Sequence, residues 1–236
     1  MAFDQIYIYL FYNVGESEVQ RMNKEKLKDY VKRFAIENFG NTEEEIDEAF
    51  KDVTGIAYYI AKVAHYNQKR VNGVTYFAHP LSVYRKYRFL IGIEEDNFDP
   101  YELMGEYGIP FWGVQEVCLL HDVLEDTDVT LDEIEEMYEE LGQHIYFEAY
   151  IKDPLILITH DKSEDYETYM KNVLCSSTSA LVKLLDLTDN TNIFGLDKYE
   201  DEEDERMHRY IKYEKMVNDK YHFIERIAKY RKDCAL

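Results

Sequence analysis

The chain has 236 residues, with 48 Asp and Glu against 27 Lys and Arg, a formal net charge of −21 and 46% apolar residues. That apolar share can bury a core, so bulk disorder is excluded, and ten Gly with four Pro supply too few turns for an all-β chain. The acidic field repels phosphate at long range, which argues against general binding of nucleic-acid backbone or anionic membrane and demands a local cation for any phosphate substrate.

The run Ile6 to Tyr12 is too short to span a bilayer, and without a basic leader or a small-residue cleavage site the chain reads as cytoplasmic and entire. Cys118, Cys175 and Cys234 have no CxxC spacing and read as reduced thiols. Ser17-x-x-Gln20 and Thr42-x-x-Glu45 match capping boxes that open helices, with Gly40 and Asn41 between them. From Asp52 to Lys69 the residues Val53, Ile56, Ala57, Ile60 and Ala64 make one apolar helical face, with a loop after it at Asn72 and Gly73. A helix is predicted from His79-Pro80 to about Leu90, because proline is tolerated in a first turn. Pro100, Gly105, Gly108 and Pro110 leave room for turns and at most a short helix.

The spacing Phe111, Val114, Val117 or Cys118, His121 predicts the next helix, and Thr130-x-x-Glu133 caps another. Gly142 and Pro154 interrupt the stretch beyond that helix, and Ser176 to Asn190 reads as a mostly apolar helix. A long final helix starts at about Asp201, with Tyr210, Tyr213, Val217, Tyr221, Ile224 and Ala228 as a stripe for the core or for a partner, including a second copy in a homodimer. The expectation is one all-α domain: residues 1–50 an extension packed on the core, 51–195 the core, and 196–236 a helix completing it.

Chemistry concentrates in three islands. His144, His160, His208 and His222 lie among polar residues with no second ligand at chelating spacing and read as surface histidines. His121-Asp122, by contrast, comes directly after apolar Cys118-Leu-Leu120 and precedes Glu125-Asp126. On a continuous helix these four polar groups occupy two neighbouring stripes, for which a salt-bridged helix end is the structural alternative. Asp186 and Asn190 sit one turn apart on an apolar helix, where a buried Asp must be paired or bound to metal. The third island is Tyr76-Phe-Ala-His79-Pro80, preceded by His65, Gln68, Lys69 and Arg70. Together His79, His121, Asp122 and Asp186 form a mixed nitrogen and oxygen set suited to Mn²⁺ first, then Fe²⁺, Co²⁺ or Zn²⁺.

The ordered string Ala64-His-Tyr-Asn-Gln-Lys-Arg70, Tyr76-Phe-Ala-His79-Pro80, Leu120-His121-Asp122-Val-Leu-Glu125-Asp126-Thr127 and Val182-Lys-Leu-Leu-Asp186-x-x-x-Asn190 resembles the HD-domain hydrolases of the RelA/SpoT-homologue group. It is most similar to the small single-domain alarmone hydrolases, which remove the 3′-pyrophosphate of (p)ppGpp. The resemblance implies an HD-domain helical bundle, metal ligands at His79, His121, Asp122 and Asp186, and Glu125 and Asp126 acting beside the attacking water. It also implies a nucleotide pocket at Arg70 and Asn190. Lys69 and His65 are further substrate-binding candidates, with a solvated lysine and a packed or hydrogen-bonded histidine as the respective alternatives. Neither nucleic acid nor membrane is an expected partner.

The chain departs from the group's pattern at Val71, where a basic residue is common, at Thr75 in place of proline, at Leu187 in place of a basic residue, and at Asp189 in place of an aromatic residue or histidine. These departures touch the substrate pocket and spare the proposed ligands. Phosphatase action on another nucleotide, such as a 5′-nucleotide or NADPH, and nucleotide sensing without turnover are therefore the competing readings.

Overall fold

The structure is a computed structural model that describes residues 25–70, 73–95, 98–191 and 201–236, the last from Glu205 onward in side-chain detail. The apolar run from Ile6, the Ser17 capping box and loop residue Asn72 lie outside the described residues. Within them the chain is helical, with no strand and a single bridge between Lys69 and Thr75. No described helix is long and apolar enough to cross a membrane.

Helix α1, Leu27–Phe39, ends where Gly40 takes the left-handed conformation at φ 71°. Helix α2, Glu43–Ala49, opens on Thr42, whose hydroxyl accepts the Glu45 N–H at 3.2 Å while Glu45 Oε2 accepts the Thr42 N–H at 2.9 Å. Helices α3, Val53–Ala64, and α4, Ala78–Ile91, come next, with Pro80 in the first turn of α4. The short α5, Pro100–Gly105, is capped by Asp99. Beyond it lie α6, Val114–Leu120, α7, Val123–Asp126, and α8, Leu131–Glu140, the last opened by the Thr130 and Glu133 capping box. A short α9, His144–Tyr146, passes through a π-helical turn, Phe147–Ile151, into α10, Lys152–Ile158. Then α11, Tyr166–Val173, α12, Ser177–Asn190, α13, Asp201–Tyr221, and α14, Phe223–Asp233, complete the bundle.

Helix α6 is the axis of the fold. Val117, Cys118, Leu119 and Leu120 are fully buried, and α6 packs on α3, α4 and α12. A helix buried on almost every side has to be surrounded, and one apolar cluster runs from Leu27 to Tyr230 around it, with the buried Glu116 of α6 satisfied by the Thr54 and Tyr146 hydroxyls. Helix α1 lies on α3 and α8, α13 lies along α12, and α14 lies on α4.

Two predicted helices are broken. The helix expected to run through His121 stops at Leu120 and resumes at Val123, so the two-stripe arrangement of His121, Asp122, Glu125 and Asp126 is not formed. The His121 ring Nδ1 lies 2.9 Å from the Cys118 carbonyl, the acceptor that a continuing helix would offer to the Asp122 N–H. The final helix breaks at His222, which adopts φ 54°. The break turns the buried face from Tyr213 and Val217 onto Phe223, Ile227 and Tyr230, leaving Ile224 of the predicted stripe 58% exposed.

Candidate metal centre

Three helical elements converge on one point. His79 comes from the first turn of α4, His121 and Asp122 from the break between α6 and α7, and Asp186 from the turn before the last of α12. His79, His121 and Asp186 are each at most 3% exposed. His79 Nε2 lies 3.0 Å from Asp186 Oδ1, 3.6 Å from Asp122 Oδ2 and 3.4 Å from His121 Nε2. His121 Nε2 lies 3.3 Å from Asp122 Oδ1 and 3.9 Å from Asp186 Oδ1.

These spacings fit a metal. Donors about 2.1 Å from a first-row ion stand roughly 3.0–3.4 Å apart along the edges of an octahedron or tetrahedron. Both histidines also engage Nδ1 away from the centre, His121 with the Cys118 carbonyl and His79 with Asp189 Oδ2 at 2.7 Å, which turns both Nε2 atoms inward. A second His and Glu group, Glu135, His144 and Glu148, is already bridged by Lys152, whose ammonium pairs with both carboxylates.

The electrostatics keep the Asp186 carboxylate charged and place a proton on His79 that an ion has to displace. Burial disfavours a charged Asp186, but the Lys183 ammonium at 2.7 Å and the histidines hold its carboxyl well below the usual range. Burial likewise opposes charge on His79, yet hydrogen bonds to Asp186 and Asp189 raise its pKa to about 9. At Asp189 burial is again outweighed, here by His79, Lys86 and Ser82, and the carboxyl is held far below the usual range. Glu125 goes the other way: burial raises its pKa, with the His160 N–H at 3.3 Å pulling against it.

A cavity of about 400 Å³ opens on the centre and is lined by Lys69, Arg70, Tyr76, Glu125, Asp126 and Asn190 together with the four-residue donor set except His121. Arg70 NH2 donates to Asn190 Oδ1 at 3.0 Å, and Asn190 Nδ2 donates to Asp186 Oδ1 at 2.6 Å. The Tyr76 hydroxyl lies 2.9 Å from Asp122 Oδ2 and 3.0 Å from Asp126 Oδ2, so one proton is shared between two acceptors. His65 lies outside the cavity wall: it is fully buried, stacks behind Tyr76 and pairs Nδ1 with Gln68 Oε1 at 2.7 Å. A larger cavity of about 490 Å³ also borders Glu125 and Asp126, and its lining includes the apolar Leu27, Phe34 and Ile60.

The sequence marks Asp189 only as a departure from the group's pattern, reads His160 as a surface histidine and Tyr210 as part of a stripe, and gives Ser82, Lys86, Tyr166 and Arg209 no role at the site. Ser82 and Lys86 share the His79 face of α4 at helical spacing, a signal that points to Asp189 only once α4 and α12 are seen to pack together. Arg209 carries no sequence signal, because the chain around it matches no motif.

No family model matches the chain. It is 35% identical over 133 residues to a guanosine-3′,5′-bis(diphosphate) 3′-pyrophosphohydrolase of Aquifex aeolicus, a stretch covering 56% of this chain and 16% of that protein. It is 38% identical over 74 residues to a probable guanosine-3′,5′-bis(diphosphate) 3′-pyrophosphohydrolase of Mycoplasma genitalium, covering 31% of this chain and 8% of that protein. Both relatives are named for the activity that the motif resemblance implies, and the aligned stretch spans less than a fifth of either one. A solved structure described as a metazoan orthologue of SpoT that hydrolyses ppGpp and plays a role in starvation responses aligns with TM-score 0.45 and 20% identity, over 82% of this chain and 97% of that one.

Proposed function

We propose that the chain is an HD-type metallohydrolase that removes the 3′-pyrophosphate from (p)ppGpp, giving GDP or GTP and pyrophosphate. The observation that carries the reading is the convergence of two inward Nε2 atoms with the Asp122 and Asp186 carboxylates beside a cavity that also holds Arg70 and Glu125. Similarity to two curated 3′-pyrophosphohydrolases supports the substrate class.

His79, His121, Asp122 and Asp186 would hold a divalent ion, with Mn²⁺ the preferred occupant of this donor set. Such an ion, when bound, supplies Lewis-acid polarisation of the phosphoryl group and a lowered water pKa. Glu125, with its raised pKa, takes the proton of the water that attacks the phosphorus next to the ribose 3′-oxygen. That P–O bond breaks, and the proton passes to the leaving 3′-oxygen. Asp126 shares the Tyr76 hydroxyl with Asp122 and fixes the edge of the site on which the water stands. Arg70 presents a planar guanidinium for guanine stacking or a two-point phosphate contact, steadied by Asn190. Lys69 and Arg209 add the local positive charge that a −21 chain needs to receive a polyanion.

The test is product analysis after incubation of Mn²⁺-loaded protein with ppGpp, beside a panel of 5′-nucleotides and NADPH. GDP and pyrophosphate from ppGpp alone is the expected result. Orthophosphate from the other nucleotides would replace the substrate and keep the metal chemistry, whereas nucleotide binding without product would make the chain a sensor.

A further inference from the structure

Asp189 is the most heavily engaged carboxylate of the site, and none of the motif-derived roles includes it. It is 8% exposed and is approached from three sides. Oδ2 accepts from His79 Nδ1 at 2.7 Å and lies 3.4 Å from Arg70 NH1; Oδ1 accepts from Ser82 Oγ at 2.6 Å and from Lys86 Nζ at 2.8 Å. One oxygen thus touches both a proposed metal ligand and the proposed nucleotide-binding arginine. The other is pinned by two donors from α4, so the carboxylate cannot turn to favour either neighbour.

Resting on the hydrolase reading above, we propose that Asp189 is a positioning residue that aims His79 at the ion and Arg70 at the nucleotide, and so couples the two subsites. A carboxylate on Nδ1 fixes the imidazole tautomer and makes Nε2 a better donor, and loss of such a partner costs about 10–100-fold in metal affinity. The same oxygen holds the guanidinium, so any shift of Arg70 towards a bound nucleotide changes the partner balance at His79. Linkage makes this reciprocal: the ion alters nucleotide affinity by the factor by which the nucleotide alters ion affinity.

The experiment compares the wild type, Asp189→Ala, Asp189→Asn, Arg70→Ala and the Asp189→Ala/Arg70→Ala pair. It uses Mn²⁺ titration of the metal-free protein by calorimetry, the His79 Nδ1–H proton resonance, and KM against kcat for ppGpp. Asp189→Ala is expected to weaken Mn²⁺ binding about tenfold or more and to lose the downfield Nδ1–H signal. Asp189→Asn, whose amide oxygen still accepts from His79, should keep that signal and bind Mn²⁺ within about threefold of wild type, yet raise KM because Arg70 has lost its charged partner. Arg70→Ala should raise KM by a smaller factor in the Asp189→Ala background than in the wild type.

A folded Asp189→Ala protein with wild-type Mn²⁺ affinity overturns the proposal alone, as does strict additivity of the two KM effects. If Asp189→Ala does not fold, Asp189→Asn decides: a retained Nδ1–H signal with raised KM supports the proposal, and an unchanged KM overturns it. A wild-type protein that binds no divalent ion overturns the metal reading and this proposal with it.

Discussion

At His79, burial and two carboxylates pull in opposite directions, and the carboxylates win: the ring's pKa rises from 6.5 to about 9. A raised value in the folded state means that the protonated ring stabilises the metal-free fold fully below about pH 6.5, and that this contribution is lost as pH climbs through about 9. An incoming ion must displace that proton. Mn²⁺ affinity is therefore expected to increase from pH 6.5 towards pH 9 with net proton release, read by calorimetry in buffers of different ionisation enthalpy. A pH-independent affinity without proton release would remove His79 from the ligand set. His121→Ala or Asp122→Ala should lower the metal content of the purified protein and abolish turnover, and normal metal with normal rate would refute the site assignment. Glu125→Gln separates proton transfer from metal binding: Mn²⁺ content should stay normal while kcat falls by roughly 10²–10⁴.

The elements most legible in the sequence were those with local chemistry. The Thr42 and Thr130 capping boxes, the separation of two helices at Gly40 and the proline in the first turn of α4 each act within a few residues, and each is found where it was expected. The breaks at His121 and His222 were not legible, because a helical apolar stripe runs through both. The first is tied to a ring hydrogen bond back to the Cys118 carbonyl, and the second places a non-glycine residue in a left-handed conformation that costs roughly 1–2 kcal/mol. The Asp189 cluster was hidden for another reason: Ser82 and Lys86 are 107 and 103 residues away, so only the packing of α4 on α12 unites them. Entry into α6 depends on Gly113, which has φ 78° and whose missing Cβ would stand 2.1 Å from the Tyr150 carbonyl oxygen. Gly113→Ala is accordingly expected to destabilise the fold by about 1–3 kcal/mol, measured as a lower urea midpoint with an unchanged slope. An unaltered midpoint would mean that the loop before α6 yields easily.

Over the whole molecule, the two C-terminal helices reach both of the long helices that carry the proposed ligands. Helix α13 lies along α12, and Tyr221 OH donates to the Leu174 carbonyl at 2.8 Å just ahead of it. Helix α14 closes the far end of α4: Tyr230 OH donates to the Ile91 carbonyl at 2.9 Å, and Arg231 NH1 to the Phe89 carbonyl at 2.6 Å. Tyr230 thereby satisfies the Ile91 carbonyl that the end of α4 leaves open, and Arg231 reinforces the long 3.4 Å bond from the Gly92 N–H to the Phe89 carbonyl. Removing residues 222–236 should therefore lower the melting temperature and also speed Mn²⁺ loss from the folded protein. Slower chelator-driven release from the truncated chain than from the full chain would contradict this. The kink at His222 gives the arrangement its leverage. It bends a single run of chain so that one arm lies against the Asp186 helix and the other against the His79 helix, as a splint set across a joint. Fraying of the last few turns is then expected to change the residence time of an ion held by the proposed ligands, although no residue beyond Tyr210 lines the cavity.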